Sequence, residues 1–305
     1  MTRIASIAAT LACLAGPALA QGGPPVGPDW SKIEIKTIDL GNRTYMLEGF
    51  GGNVTVAVGD DGIIMVDGQF APLHDKLKAA IASVSPQPIK FLVNTHYHRD
   101  HVGGNAPFFK DGATVVAHVN VRTRLASGAT MIVPDVKIPP VVPEALPAQT
   151  YDKAAGPTLE VAGRKAQLTH PNRAHTDGDT YVYFADANVL STGDTVAIGR
   201  YPNIDFGNGG TVTGMIAASD AYLALANDTT KIVPGHGPPA TKAQLAEYRA
   251  MLMTARDRMA KLIADGKNES EIYAAKPFAD LNGKWAANEQ AANNFMKVVY
   301  HSLKQ

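Results

Sequence analysis

Asn94-Thr95-His96-Tyr97-His98-Arg99-Asp100-His101 is the stretch on which the reading of this 305-residue chain turns. Three imidazoles and one carboxylate fall within six positions, directly after an apolar run at 89–93 that reads as a short buried strand. His96 and His98 are two residues apart, so on an extended turn both rings can converge on one ion. Asp100 and His101 follow on the next turn and can face a second. Imidazole together with carboxylate suits Zn²⁺, Fe or Mn better than Ca²⁺ or Mg²⁺, which prefer all-oxygen sites. A lone histidine in a strand is usually structural; four candidate ligands in six residues point to a metal. Gly103-Gly104 then let the backbone turn tightly beside them and start a helix.

Outward from that stretch, strand patterns lie at 33–38, 44–47, 54–58 and 63–66, and Gly-Asp-Asp-Gly at 59–62 forms a hairpin turn. Apolar spacing at Leu73, Leu77, Ala80, Ile81 and Val84 predicts a helix over 73–84, stopped by Pro86 and Pro88. Further strands are predicted at 114–117, 165–169, 180–184, 189–191 and 231–233, with helices at 215–225 and 242–264. Five prolines and little periodicity make 134–147 an extended surface insertion. Hairpins first and strand–helix alternation afterwards give an α/β chain, two sheets with helices packed outside.

The His-x-His-x-Asp-His pattern after a strand resembles the signature of the metallo-β-lactamase superfamily, and further landmarks follow in order. Asp67 ends the strand at 63–66, where the family has an acid beneath its site. His175 stands in Ala174-His175-Thr176-Asp177-Gly178-Asp179, Asp194 ends Ser191-Thr192-Gly193-Asp194, and His236 stands in Pro234-Gly235-His236-Gly237. The match runs from about residue 33 to 239. It implies a four-layered αββα sandwich in a single domain over 21–305, with a C-terminal helical extension from about 242. It also implies two zinc ions, iron or manganese being alternatives. His96, His98 and His175 would hold the first ion, Asp100, His101 and His236 the second, and Asp194 would bridge them.

That resemblance implies a hydrolase in which a hydroxide shared by the two ions attacks a substrate carbonyl, with Asp100 orienting the nucleophile as the catalytic side chain. Opening of a cyclic amide or ester, β-lactams first, is the leading expectation. A glyoxalase II-like thioesterase or a lactonase is the alternative, and an iron-dependent persulfide dioxygenase the more distant one. Asp194 stands where one lactamase subclass has cysteine, so the ligand set looks like the glyoxalase II and lactonase branches. Phe50, Tyr201, Asn203 and Asn208 are the candidate substrate contacts. Phe50-Gly51-Gly52-Asn53 reads equally as a hinged cover or as an ordinary hairpin turn. Asp67 is expected to orient a ligand ring, and His74, His118, His170 and His301 to be packing residues.

Arg3, the apolar run 4–14 and Ala18-Leu19-Ala20 form a signal peptide cleaved after Ala20, which implies a periplasmic protein. The only cysteine, Cys13, lies inside that leader, so no disulfide framework exists. Lys+Arg 28 against Asp+Glu 28 argues against a nucleic-acid partner. No apolar run is long enough to span a bilayer. The expected partner is a small molecule with a hydrolysable carbonyl.

Overall fold

Val54-Thr55-Val56-Ala57-Val58 and Ile63-Ile64-Met65-Val66 are buried along their whole length. Strands without a wet face need cover on both sides of their sheet, and the rest of the chain supplies it. The structure, a computed structural model, describes residues 27–305; the leader expected at 1–20 lies outside the described residues. The chain divides into Met1–Lys32 and Ile33–Gln305. In the first unit, Trp30–Lys32 is a single 3₁₀ turn, with Asp29 accepting from the Ser31 hydroxyl at 2.6 Å.

In the second unit β1 (Lys36–Gly41), β2 (Thr44–Glu48), β3 (Val54–Val58) and β4 (Ile63–Val66) form an antiparallel meander. Helix α1 (His74–Ala82) leads to β5 (Ile89–Val93), which pairs parallel with β4. Two short helices, α2 (Arg99–Val102) and α3 (Asn105–Lys110), precede β6 (Thr114–His118), parallel to β5. After α4 (Val119–Ser127) comes a small hairpin of β7 (Ala129–Met131) and β8 (Val136–Ile138), and then β9 (Gln149–Tyr151) closes the sheet beside β6. The second sheet is β10 (Ala155–Val161), β11 (Arg164–Thr169), β12 (Tyr181–Phe184) and β13 (Val189–Gly193), all antiparallel. Helix α5 (Val212–Leu225) then returns the chain to β14 (Lys231–Pro234), parallel to β13. Four helices finish it: α6 (Lys242–Ala264), α7 (Glu269–Ala275), α8 (Ala279–Trp285) and α9 (Glu289–Ser302).

Met46, Ile64, Val66, Val93 and Val116 of the first sheet pack on Leu168, Val182, Phe184, Val189 and Val233 of the second. Leu190 and Ile232 point the other way, into a core with Met215, Tyr222, Leu245, Tyr248 and Leu252 from α5 and α6. Helix α3 covers β5 and β6 on the opposite side. The result is the expected order of layers, helix, sheet, sheet, helix. Thr241 begins α6 with a reciprocal cap: its hydroxyl accepts from the Gln244 amide while the Gln244 side chain accepts from the Thr241 amide.

The first strand starts at Lys36, three residues later than the pattern at 33–38 implied, and the proline-rich segment is more ordered than expected. It folds as the β7–β8 hairpin and a 3₁₀ turn at Pro143–Ala145, then delivers β9. Strands β9 and β10 escaped the sequence reading because three residues carry no period, and β10 is exposed over most of its length.

One contact joins the sheets by their rims. The rings of His118, at the end of β6, and His170, just past β11, stack 3.9 Å apart and 11° from parallel. His118 Nδ1 accepts from the Asn120 amide and so caps α4, while His170 Nδ1 donates to the Asp179 carbonyl at 2.7 Å. Burial, and secondly the neighbouring His170, push the His118 ring down to about 4.

Two outcomes follow. Phe184 lies fully buried between the sheets, so Phe184→Ala should cost about 3–5 kcal/mol of stability in urea unfolding, and a loss below 1 kcal/mol would contradict the placement. A depressed histidine binds a proton in the unfolded chain before it does in the folded one. The stability it contributes is therefore complete above about pH 6.5 and is lost as the pH falls toward about 4. His118→Asn keeps a cap acceptor but cannot titrate. In chelator-stripped protein its melting temperature should fall less than the parent's between pH 7 and pH 4.5.

Candidate metal centre

The parallel pairs β4/β5 and β13/β14 set the positions of the site. Asp67 follows β4, residues 94–101 follow β5, Asp194 follows β13, and Gly235-His236 follow β14. His175 comes from the loop between β11 and β12. The structure brings all seven expected side chains together in two groups. One donor atom each from His96, His98, His175 and Asp194 lies within 4.8 Å of the others, and the same holds for Asp100, His101 and His236.

Asp194 faces both groups. Its Oδ2 is 3.8 Å from His175 Nε2, and its Oδ1 is 3.3 Å from His101 Nε2 and 3.4 Å from His236 Nε2. His236 Nε2 also lies 3.2 Å from Asp100 Oδ2. The three rings of the first group are buried; Asp100 and His236 keep 30% and 25% of their side chains exposed, so the site opens on their side.

Each buried ring has a second partner that sets its tautomer. His98 Nε2 donates to Asp205 Oδ2 at 3.1 Å, and His175 Nδ1 donates to the Asn203 carbonyl at 2.9 Å. His101 Nδ1 donates to Asp67 Oδ2 at 2.7 Å. Thr95 Oγ1 donates to Asp67 and accepts from His96 Nδ1 at 3.0 Å. In His96, His98 and His175 the remaining nitrogen aims its lone pair inward, whereas His101 Nε2 faces the carboxylates of Asp100 and Asp194. His98 Nδ1 and His175 Nε2 face each other at 3.0 Å, and His96 Nε2 is buried without any partner.

Facing lone pairs repel, and an orphaned buried acceptor costs about 1–3 kcal/mol. A cation relieves both: a tetrahedral Zn²⁺ at 2.0–2.1 Å from each nitrogen sets them about 3.3 Å apart. The residues therefore fit a metal. The second group shows the same demand by charge. Burial disfavours a protonated His236, but Asp194 and Asp100 outweigh it and carry the ring up to about 9. Burial likewise opposes charge on His101, yet Asp194, Asp67 and Asp100 hold it well above the usual histidine range. Burial and then the rings of His101, His98 and His175 keep His96 well below that range, hence neutral. Burial works against the Asp100 carboxylate, but His101 and His236 hold it at about 2.

Two glycines make room. A Cβ on Gly52 would sit 2.2 Å from His101 Cε1, and one on Gly235 would sit 1.8 Å from Asp194 Oδ1. The loop carrying Gly52 is fastened down: Gly52 donates to the Asp100 carbonyl at 2.9 Å, and Asn53 donates to the Gly235 carbonyl at 2.6 Å. The Asn53 amide adds bonds to the Pro234 and Gly237 carbonyls. So these glycines serve close approach and not hinge motion, and only Phe50 at the tip stands half exposed, beside Phe70.

Of the four expected substrate contacts, the side chains of Tyr201 and Asn208 are committed to other partners. Tyr201 is buried, stacked on Phe295 at 4.0 Å, with its hydroxyl donating to Asn282. Asn203 acts through its carbonyl on His175. Asn208 is buried and donates to Asp205 and the Thr130 carbonyl. Phe50 keeps its place at the rim. Asp67 behaves as expected, bonding the His101 ring, and Asp177 pairs with Arg124. His74 bridges Asp75 and Asp111, and His301 stacks on Phe206. Asp205, Tyr97 and the Asn203 carbonyl were missed; only Asp205 left a trace, a charge between the apolar Ile204 and Phe206.

The family model described as metallo-beta-lactamase superfamily matches residues 47–236. The chain is 28% identical over 220 residues to the 2,4-dinitroanisole O-demethylase subunit alpha of Nocardioides sp. (strain JS1661), covering 70% of this chain and 61% of that protein. It is 28% identical over 141 residues to the hydroxyacylglutathione hydrolase of Synechococcus sp. (strain JA-3-3Ab), covering 42% of this chain and 48% of that one. This chain thus spans between about half and three-fifths of those curated relatives. Among solved structures, a metallo-beta-lactamase from Pontibacter korlensis superposes with a TM-score of 0.59 at 17% identity, over 72% of this chain and 99% of that one.

Because Gly52 abuts His101, Gly52→Ala should displace that ring. We expect about 1–3 kcal/mol of lost stability and bound metal reduced by about half, read by elemental analysis of the dialysed protein. Unchanged metal content would show that His101 does not depend on this packing.

Proposed function

The chain belongs to the metallo-beta-lactamase superfamily, and from that premise we propose that it is a two-metal hydrolase of small carbonyl substrates. The observation that carries the reading is the Asp194 carboxylate, whose two oxygens face two separate groups of ring nitrogens. His96, His98 and His175 would hold one ion, Asp100, His101 and His236 the other, with Asp194 shared. Zinc is the proposed metal, since the donors are nitrogen and carboxylate oxygen; Fe and Mn suit the same donors.

When bound, such a pair supplies Lewis acidity and lowers the pKa of a water from about 15.7 toward about 7. The protein's part is position and proton handling. Asp194 fixes the separation of the two groups and places one negative charge between them. Asp100, at the open side with its Oδ2 near His236, orients the attacking water and takes its proton at a carboxylate oxygen. His236 shares that exposed side, so the leaving group departs toward solvent there. Asp67, Asp205, Thr95 and the Asn203 carbonyl keep the rings from turning. A cavity wall rich in fixed dipoles needs little reorganisation as charge develops.

For the substrate we propose a cyclic amide or ester, with a β-lactam as the first compound to test. A thioester is the second reading, supported by the similarity to hydroxyacylglutathione hydrolases. The location proposed is the periplasm, reached through residues 1–20. No helix among the described residues is long and apolar enough to cross a membrane.

The test is a hydrolysis panel on zinc-loaded protein, comprising a cephalosporin, a lactone and an S-acyl thioester, alongside metal analysis. Two metals per chain are expected, and chelation should abolish turnover. His175→Ala should lose about one metal and at least about 10²-fold in kcat/KM. Full turnover after chelation would end the reading. Turnover of the thioester alone would replace the lactam proposal with the second.

A further inference from the structure

Asp205 lies in the loop after Asp194, with its carboxylate fully enclosed. Four donated bonds reach it. Tyr97 Oη and His98 Nε2 donate to Oδ2, the latter at 3.1 Å. Asn208 Nδ2 reaches Oδ1 at 2.9 Å and Oδ2 at 3.0 Å. The Asp205 backbone N–H donates to the His175 carbonyl at 2.9 Å. One residue therefore touches two of the three early-group histidines, one through its side chain and one through its backbone.

Asn208 is itself held from outside. Arg124 on α4 donates through Nη1 to Asn208 Oδ1 at 2.6 Å, and through Nε and Nη2 to the two oxygens of Asp177 at 2.7 and 2.5 Å. Its guanidinium lies 5.8 Å from the centre of the Tyr97 ring. Asn208 Nδ2 also donates to the Thr130 carbonyl on β7 at 2.9 Å. Because Arg124 occupies the Asn208 oxygen, the amide must turn its N–H₂ toward Asp205 and Thr130. That orientation holds the Asp205 carboxylate in place, and Oδ2, as an acceptor, keeps the His98 proton on Nε2.

We propose that Arg124, Asn208 and Asp205 form a positioning relay that fixes the tautomer and aim of His98, so that Nδ1 faces the His96/His175 group. The relay runs from a partly exposed arginine beside the β7–β8 hairpin to a buried ring. Through the Thr130 carbonyl it makes strand β7 of the small hairpin a support for one half of the metal centre. The other half, around Asp100, His101 and His236, is outside its reach and rests on Asp67. Arg124 and Asn208 act through Asp205, and the Asp205 side chain acts through His98. The inference rests on the reading that His98 holds a metal.

Loss of a partner of this kind typically weakens a metal by about 10–100-fold. Stepwise zinc affinities of the full chain, measured by competition with a chromophoric chelator, should show one of the two dissociation constants raised about 10–100-fold in Asp205→Ala, with the other unchanged. Asp205→Asn keeps one acceptor for His98 and should recover part of that loss. Asn208→Ala and Arg124→Met lie further out and should weaken the same constant less, by about 3–10-fold. In cobalt-substituted protein the visible bands of one ion should shift and those of the other should not. Should Asp205→Ala fail to fold, the Arg124 and Asn208 variants carry the test. Variants with both constants equal to the parent's, or with both weakened equally alongside a lower urea midpoint, would overturn the relay. A parent protein that binds no zinc would instead overturn the functional reading on which the relay stands.

Discussion

The constraint on which this structure turns is electrostatic: buried ring nitrogens aim their lone pairs at one another. His98 Nδ1 and His175 Nε2 stand 3.0 Å apart, and His96 Nε2 beside them has no partner. In a protein interior such an arrangement is destabilising by about 1–3 kcal/mol per unsatisfied atom. It persists because every other nitrogen is already committed, to Asp205, to the Asn203 carbonyl, to Thr95 and to Asp67. The outer bonds cannot be kept while the inner nitrogens turn away. What relieves the inner set is positive charge, and in the second group the same need shows as histidines raised toward protonation by Asp194, Asp67 and Asp100.

Holding so unfavourable a cluster requires a rigid support, and the two-sheet core is that support. Phe184, Val182, Ile64 and Val66 are shut between the sheets, each contributing about 1.5–3 kcal/mol by burial. The two parallel strand pairs bring Asp67 and the 94–101 turn, and then Asp194 and His236, to one rim. The rim is laced across: Thr95 accepts the ring of its neighbour while bonding Asp67, and its carbonyl receives the Thr180 amide from the other sheet at 2.6 Å. Position here is therefore a property of the whole sandwich, although the residues that use it come from loops.

Legibility in the sequence followed the same division. Residues 54–58, 63–66 and 89–93 were read at their observed ends because continuous apolar runs bounded by turns carry a strong local signal. The cluster at 96–101 was legible because so many donors in six residues are rare in ordinary packing, whereas His175, Asp194 and His236 were reached only through the resemblance to the metallo-β-lactamase superfamily. What stayed hidden were residues whose work is done through space. Asp205, Arg124 and Asn203 have no spacing relation to His98 or His175, and the tautomer of a ring is set by whichever carbonyl or carboxylate the fold brings to it. Tyr201 and Asn208 misled for the same reason. Both follow Asp194 closely in the chain, yet Tyr201 turns into the helical core and Asn208 turns toward Asp205. Proximity in sequence to a ligand does not say which way a side chain faces.

The two halves of the centre are built differently, and that difference bears on what each can do. The His96/His98/His175 half is buried and made of rings locked from behind by hydrogen bonds. Its geometry is fixed before any ligand arrives, which suits polarising a substrate oxygen without reorganisation. The Asp100/His101/His236 half includes two side chains a quarter or more exposed, in a field that strongly favours positive charge. Its carboxylate, on Asp100, is partly exposed, so solvent has access to this half. On the proposed reading, a rigid, buried half beside a more exposed half would separate activation of the substrate from turnover of the proton. Asp194 spans both, so its two oxygens must serve the two environments at once.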